Sequence, residues 1–205
     1  MIYTKFYTSL PPYNKNEIFR YAGVSTPSEE LEKGLDMCLN KCEKAFSGKV
    51  CYIRVPIEIS GEEINFGFAS VKSKNLSANL KNCKEAIVFA ATVGIEIDRL
   101  IRKNEQTNMA DAVWLGAIGA ERIEALCDLF SKEIEDECRE ELKKAKPRFS
   151  AGYGDLDLSF QKDIFRVLDC HKLIGLTLTE SLLMSPSKSV TAIIGIEVKE
   201  NEPTK

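Results

Sequence analysis

The sequence predicts an α+β fold, and three observations carry that reading. Cys51, Ile53, Val55, Ile57 and Ile59 alternate strictly, and Ile64, Phe66 and Phe68 alternate again after Ser60-Gly61, the pattern of a hairpin. Ala86 to Ala91 is a continuous apolar run, as in a strand buried on both faces, and Ser189 to Ile196 reads as a terminal strand. Between these runs lies the longest helical pattern, from about Asn108 to Lys144.

The remaining elements follow in order. Residues 14–22 read as a short helix that stops before Gly23. Thr26-Pro27-Ser28-Glu29 reads as a helix start, with Thr26 as the cap, Pro27 at the first position and Glu29 three residues after the cap. Leu31, Leu35, Cys38, Cys42 and Ala45 line one face to about Phe46. Ser73 caps a short helix carrying Leu76 and Leu80. Thr92-Val93-Gly94 ends the central strand, and Ile95 to Arg102 resumes a helical pattern. A strand, a turn and a helix can bind an anion at the helix start, but one Gly and no phosphate-loop Lys make this a structural crossover. A helix from Asp157 or Ser159 runs to about Leu168, Leu176 to Thr179 is β-prone, and Ser185-Pro186-Ser187 is a turn.

The chain has 205 residues, 44% of them hydrophobic and 29% charged, and a formal net charge of −3. That length suits one domain over 1–205, with 1–15 and the polar segment 199–205 peripheral. No basic stripe with interleaved aromatics occurs, so nucleic acid is not an expected partner. No signal-peptide core and no membrane-length apolar run occur, so a cytoplasmic location is expected. The seven cysteines fall on apolar helix and strand positions, with no CxxC pair and only His171 as a nitrogen ligand. Buried reduced thiols are expected, and no metal site.

Two features invite a ligand. Arg148-Phe149-Ser150-Ala151-Gly152-Tyr153-Gly154 places one guanidinium before a turn that only small residues make, with Asp155 directly after it. Such a stretch suits a small anion or zwitterion, and equally a tight surface turn with a solvated Arg. Glu124 is a carboxylate on an apolar stripe of the long helix, between Ala120 and Cys127. It either reaches past the stripe to water or meets a cation, an Arg of the protein or a ligand ammonium. Gly116 and Gly119 each weaken that helix by about 1 kcal/mol, a loss that tight packing or a ligand would offset.

Residues 148–169 and 174–195 together resemble the reactivation domain of cobalamin-dependent methionine synthase. The shared pattern is an Arg, three residues, Gly-Tyr, a helix, Leu-Thr-Glu-Ser, a Met, a Pro and a Ser-Val strand. Here these are Arg148, Gly152, Tyr153, Leu178-Thr179-Glu180-Ser181, Met184, Pro186 and Ser189-Val190. Residues 73–94 and 117–128 are similar to stand-alone versions of the domain, so the resemblance covers most of the chain. It implies a twisted antiparallel sheet flanked by helices, with a shallow cleft. It also implies binding of S-adenosylmethionine, whose methyl restores methylcobalamin from the cobalt(II) state once a flavodoxin-type donor supplies one electron. The cobalamin is carried by a separate methionine synthase module.

The resemblance assigns Arg148 to the ligand carboxylate and Glu124 to its amino group. Ala151 and Gly152 would supply backbone contacts to adenine, and Tyr153 would lie against the ligand or near the cobalt face as the catalytic candidate. Glu180 is expected to bond nearby backbone amides. The chain departs from the pattern at both ends. It has no clear counterpart of an N-terminal ligand-contacting aspartate, and Glu197-Val198-Lys199-Glu200 replaces the aromatic pair after the last strand. No cobalamin-binding Asp-x-His-x-x-Gly motif occurs. The resemblance leaves a reactivation subunit, a non-catalytic module that senses S-adenosylmethionine or caps a corrinoid protein, and a related fold that has lost ligand binding.

Overall fold

The structure, a computed structural model, describes residues 1–198. In chain order its elements are β1 (Tyr3–Tyr7), α1 (Lys15–Tyr21), α2 (Glu29–Lys41), β2 (Gly48–Pro56), β3 (Glu58–Ser60), β4 (Glu63–Asn65) and β5 (Ser70–Lys72). There follow α3 (Lys74–Asn79), β6 (Cys83–Thr92), α4 (Glu96–Glu105), α5 (Met109–Glu140) and β7 (Lys143–Ala145). The chain continues through α6 (Phe160–Leu168), α7 (Cys170–Ile174), β8 (Thr177–Leu178), β9 (Met184–Ser185) and β10 (Ser189–Val198).

The fold is α+β, built on a five-stranded antiparallel sheet in the order β1-β2-β6-β10-β7. Alternating side chains on its strands serve two cores. Val50, Tyr52, Ile87, Phe89, Ala192 and Ile194 face one way, against Ile18, Leu35, Leu115, Leu126 and Phe130 of α1, α2 and α5. Cys51, Ile53, Val88, Ala90 and Ile193 face the other way, against Phe66, Leu76, Phe160, Ile164 and Cys170. This explains the unbroken apolar run of β6: odd and even residues are both buried, each in its own core. Burying side chains the size of Phe130 or Leu126 stabilises the fold by about 1.5–3 kcal/mol each.

Several expected boundaries move. Ser28, not Thr26, caps α2, accepting from Leu31 N–H. The alternating run 51–59 is two strands, because the chain leaves the large sheet at Pro56 and Ile59 pairs with Ile64 in a separate three-stranded meander. The long helix stops at Glu140 rather than Lys144, with Leu142 at φ 59° turning the chain so that β7 pairs with β10. Residues 1–15, expected at the periphery, supply the edge strand β1, paired with β2 from Tyr3 to Tyr7. The segment 199–205 lies outside the described residues. Of the two helix glycines, Gly119 lies against the Lys188 side chain and Ile97, whereas a Cβ at Gly116 would meet nothing within 4 Å. Close packing therefore accounts for Gly119 only. No helix among the described residues is long and apolar enough to cross a membrane.

Candidate functional site

Arg148 owes its position to strand pairing. Phe149 forms an isolated bridge with Ile193, its N–H donating at 2.9 Å and its carbonyl accepting at 2.8 Å. Phe149 points into the core beside α6 and α7. Its neighbour in an extended segment points the opposite way, so Arg148 faces α5. There its Nη2 donates to Glu124 Oε2 at 2.5 Å and its Nη1 to Asp128 Oδ1 at 2.5 Å. Glu124 and Asp128 are four residues apart and share one helix face, which lets one guanidinium fork reach both.

One contact bears on both residues. Arg148 is not a solvated surface Arg: its side chain is 25% exposed and doubly paired. Glu124 is half-exposed, and the cation it meets is an Arg of the protein. Burial works against the Arg148 charge, but the bond to Asp128 and the Asp128 and Glu124 charges outweigh it and hold its pKa above the ordinary value. Burial likewise pushes the Cys127 thiol up to about 12, so it stays neutral beneath the pair.

Two cavities meet at this ridge. One, of about 510 Å³, is lined by Pro11, Pro12, Asn14, Glu17, Glu124 and Asp128 among others. The second, of about 790 Å³, is bordered by Asp128, Ser131, Lys144, Pro147, Arg148 and Ile194 among others. The N-terminal segment, for which no role was evident in the sequence, forms a wall of the first cavity.

The turn after Arg148 is fixed by its own contacts. Gly152 has φ 84°, and a Cβ there would lie 2.9 Å from Leu158 Cδ1. Gly154 has φ 58°, and its Cβ would fall 2.4 Å from Asn75 Nδ2. Both glycines are therefore explained by backbone conformation and close packing within the chain. Gly152 N–H donates to the Leu156 carbonyl at 2.9 Å and Tyr153 N–H to that of Ser150 at 3.2 Å. Asp155 accepts from Ser73 Oγ at 2.5 Å, Lys74 N–H at 2.8 Å and Asn75 N–H at 3.2 Å, which docks the turn on the start of α3. Ala151 is buried, whereas the Tyr153 ring stands 69% exposed, edge-on to Phe149 at 5.3 Å between centroids.

The Leu-Thr-Glu-Ser stretch needs a correction. Glu180 is exposed, and no backbone amide among the described residues donates to it. The structural bonds come from Thr179 instead: its Oγ1 accepts from Leu183 N–H at 3.0 Å and its N–H donates to the Leu183 carbonyl at 2.9 Å. Leu182, at φ 64°, reverses the chain to allow this, leaving Glu180 at the rim of a cavity of about 470 Å³ with His171 and Lys162.

Two functional-looking groups escaped the sequence. Asp128 is the second partner of Arg148, and only its spacing of four from Glu124 hinted at it. Glu121, not Glu124, is the deeply buried carboxylate of α5: its oxygens accept from Arg122 Nε and Nη2 at 2.5 Å each, and Asn14 N–H adds a third bond at 3.1 Å. All seven cysteines are buried and free. Among the described residues no group of three or more His, Cys, Asp or Glu could hold a metal ion.

The family model described as vitamin B12 dependent methionine synthase, activation domain, matches residues 76–201. No curated protein matches. A solved structure described as the crystal structure of the MetH reactivation domain bound to AdoHcy superposes with a TM-score of 0.63 at 19% identity. The match covers 85% of this chain and 66% of that one, so it spans just under two thirds of that chain's length. At this identity the likeness speaks for the fold, and the antiparallel sheet between helical layers agrees with it. With the family model spanning more than half of its length, the chain belongs to the vitamin B12-dependent methionine synthase activation-domain family.

Proposed function

We propose that this protein binds S-adenosylmethionine with Arg148 and Glu124 and supports reductive methylation of cob(II)alamin held by a separate methionine synthase chain. One observation carries the reading: a guanidinium and a half-exposed carboxylate, 24 positions apart in sequence, meet at 2.5 Å on a ridge between two cavities. A ligand with one carboxylate and one ammonium satisfies both groups at once. The planar fork suits a carboxylate, and among the described residues two of its five N–H groups are engaged. Glu124, at 42% side-chain exposure, is accessible to an ammonium.

Bound S-adenosylmethionine supplies the methyl group, and the protein's share is positioning. Arg148 and Glu124 fix the amino-acid end. Gly152 N–H is committed to Leu156, which leaves the Ala151 N–H and the Ala151 and Gly152 carbonyls for adenine. Tyr153, exposed above Phe149, forms the lip over which the partner's corrin face approaches. The electron comes from a flavodoxin-like or other one-electron donor.

Calorimetry with S-adenosylmethionine tests the binding. Arg148→Ala is expected to weaken it by about 1–3 kcal/mol, the size of a hydrogen bond to a charged group. Unchanged affinity in a well-folded variant removes Arg148 from the site. Methyl transfer to cob(II)alamin, with the partner chain and a reductant present, tests the reaction. Binding without transfer leaves the non-catalytic sensing or capping module as the function.

A further inference from the structure

The Arg148 guanidinium is gripped by two carboxylates, and only one of them has a place in the binding scheme above. We infer that Asp128 is a positioning residue, which retains Arg148 while Glu124 exchanges its guanidinium partner for the ligand ammonium. The inference rests on the amino-acid-binding reading of the Arg148–Glu124 pair.

The two arms of that pair close on each other, Nη2 to Oε2 at 2.5 Å. An ammonium that takes the guanidinium's place at Glu124 Oε2 loosens that bond. If Glu124 were the only partner, its departure would free a long side chain to leave the site. Re-ordering it would then oppose binding. Asp128 removes that difficulty by holding the other nitrogen, Nη1, at 2.5 Å. The two acids lie on successive turns of α5, so the fork keeps its orientation when one arm lets go.

Charge supports the same division of labour. Arg148, Glu124 and Asp128 together carry one net negative charge. In S-adenosylmethionine the ammonium and carboxylate cancel and the sulfonium leaves one net positive charge, so the complete set is neutral. Exposure makes the idea testable. The Asp128 side chain is 73% exposed, and exposed ion pairs contribute little to folding, so its removal leaves the fold intact.

The experiment is calorimetry on the full chain with two probes, S-adenosylmethionine and 5′-methylthioadenosine, which lacks the amino-acid part. Asp128→Asn is expected to weaken S-adenosylmethionine binding about threefold to fivefold, the contribution of a partly exposed ion pair. Its affinity for 5′-methylthioadenosine stays at the wild-type value, and Asp128→Glu restores S-adenosylmethionine binding. Equal weakening of both probes means a general structural role and overturns the inference. Unchanged or tighter S-adenosylmethionine binding in Asp128→Asn also overturns it, while the reading of Arg148 and Glu124 stands. Failure of the unaltered chain to bind S-adenosylmethionine overturns both.

Discussion

The charge pair that matters most to folding is a different one from the candidate clamp. Arg122 and Glu121 are 3% and 4% exposed, and they form a bidentate pair at 2.5 Å per bond. Arg122 also donates to the Pro11 carbonyl at 2.6 Å and the Pro12 carbonyl at 3.3 Å, and lies 4.0 Å over the Tyr13 ring. It thereby fastens the N-terminal segment to α5. Removing one member strands the other as a buried charge, so Arg122→Leu is expected to lower stability by about 3–5 kcal/mol. The double replacement Glu121→Leu with Arg122→Leu leaves no stranded charge and is expected to cost less, as read from denaturant unfolding. An equal loss in the double variant would assign the cost to the N-terminal contacts rather than to the unpaired carboxylate. In the sequence both acids lie on α5, Glu121 between Ala120 and Arg122 and Glu124 between Ile123 and Ala125. Helical spacing alone points to Glu124, on the stripe between Ala120 and Cys127. Burial of Glu121 depends on Pro11 to Asn14 folding over it, a contact more than 100 residues long that no local pattern carries.

At the scale of elements, what was legible followed local chemistry. Ser73 caps α3 as its spacing predicts, accepting from Leu76 N–H at 3.0 Å, and the Ser60-Gly61 turn joins β3 to β4. The apolar run of β6 lies in the sheet centre. Strands β1 and β7 were not legible, because Tyr3–Tyr7 and Lys143–Ala145 are short edge segments whose strand character comes from their partners. The candidate site divides in the same way. The turn at Gly152 announces itself by residue type, whereas the reach of Arg148 to α5 follows from the Phe149–Ile193 bridge. The end of α5 also depends on partners. Glu141 accepts from Arg54 Nη1 at 2.8 Å and Nη2 at 2.7 Å, while Glu85 accepts from Arg54 and Lys143, tying α5 to β2, β6 and β7. Arg54 first, then Lys143, hold the Glu141 carboxyl down to about 2 from an ordinary 4.5. A depressed carboxyl stabilises the fold above its unfolded pKa and loses that contribution as pH falls through the folded value. Thermal stability is therefore expected to decline as pH falls from about 4.5 to about 2, and Glu141→Gln is expected to flatten that decline. An unaltered profile in Glu141→Gln would remove this network from the acid response.

The whole molecule is two cores sharing one sheet, and its cysteines report on each core separately. Cys38, Cys42, Cys127 and Cys138 lie in the layer of α1, α2 and α5. Cys51, Cys83 and Cys170 lie in the layer of α6 and α7. Burial raises the thiol pKa of Cys38 to about 12 and of Cys42 and Cys83 to about 11. The native protein is therefore expected to resist alkylation, since the thiolate is the reactive form. Strands β2, β6 and β10 each contribute alternate residues to both cores, so neither layer can lose its packing without exposing the back of the other. That coupling predicts one cooperative unit. In pulsed alkylation across a denaturant series, read by mass spectrometry, both cysteine sets should become reactive over the same concentration range. Earlier labelling of Cys51, Cys83 and Cys170 alone would mean that the α6–α7 layer opens by itself. The turn from Ala151 to Asp155 packs on that layer through Leu156 and Phe160, whereas Glu124 and Asp128 belong to α5 on the other. The ridge that joins them would then form and dissolve with the sheet's second face, and ligand binding should suppress the early labelling by drawing the layers together through Arg148.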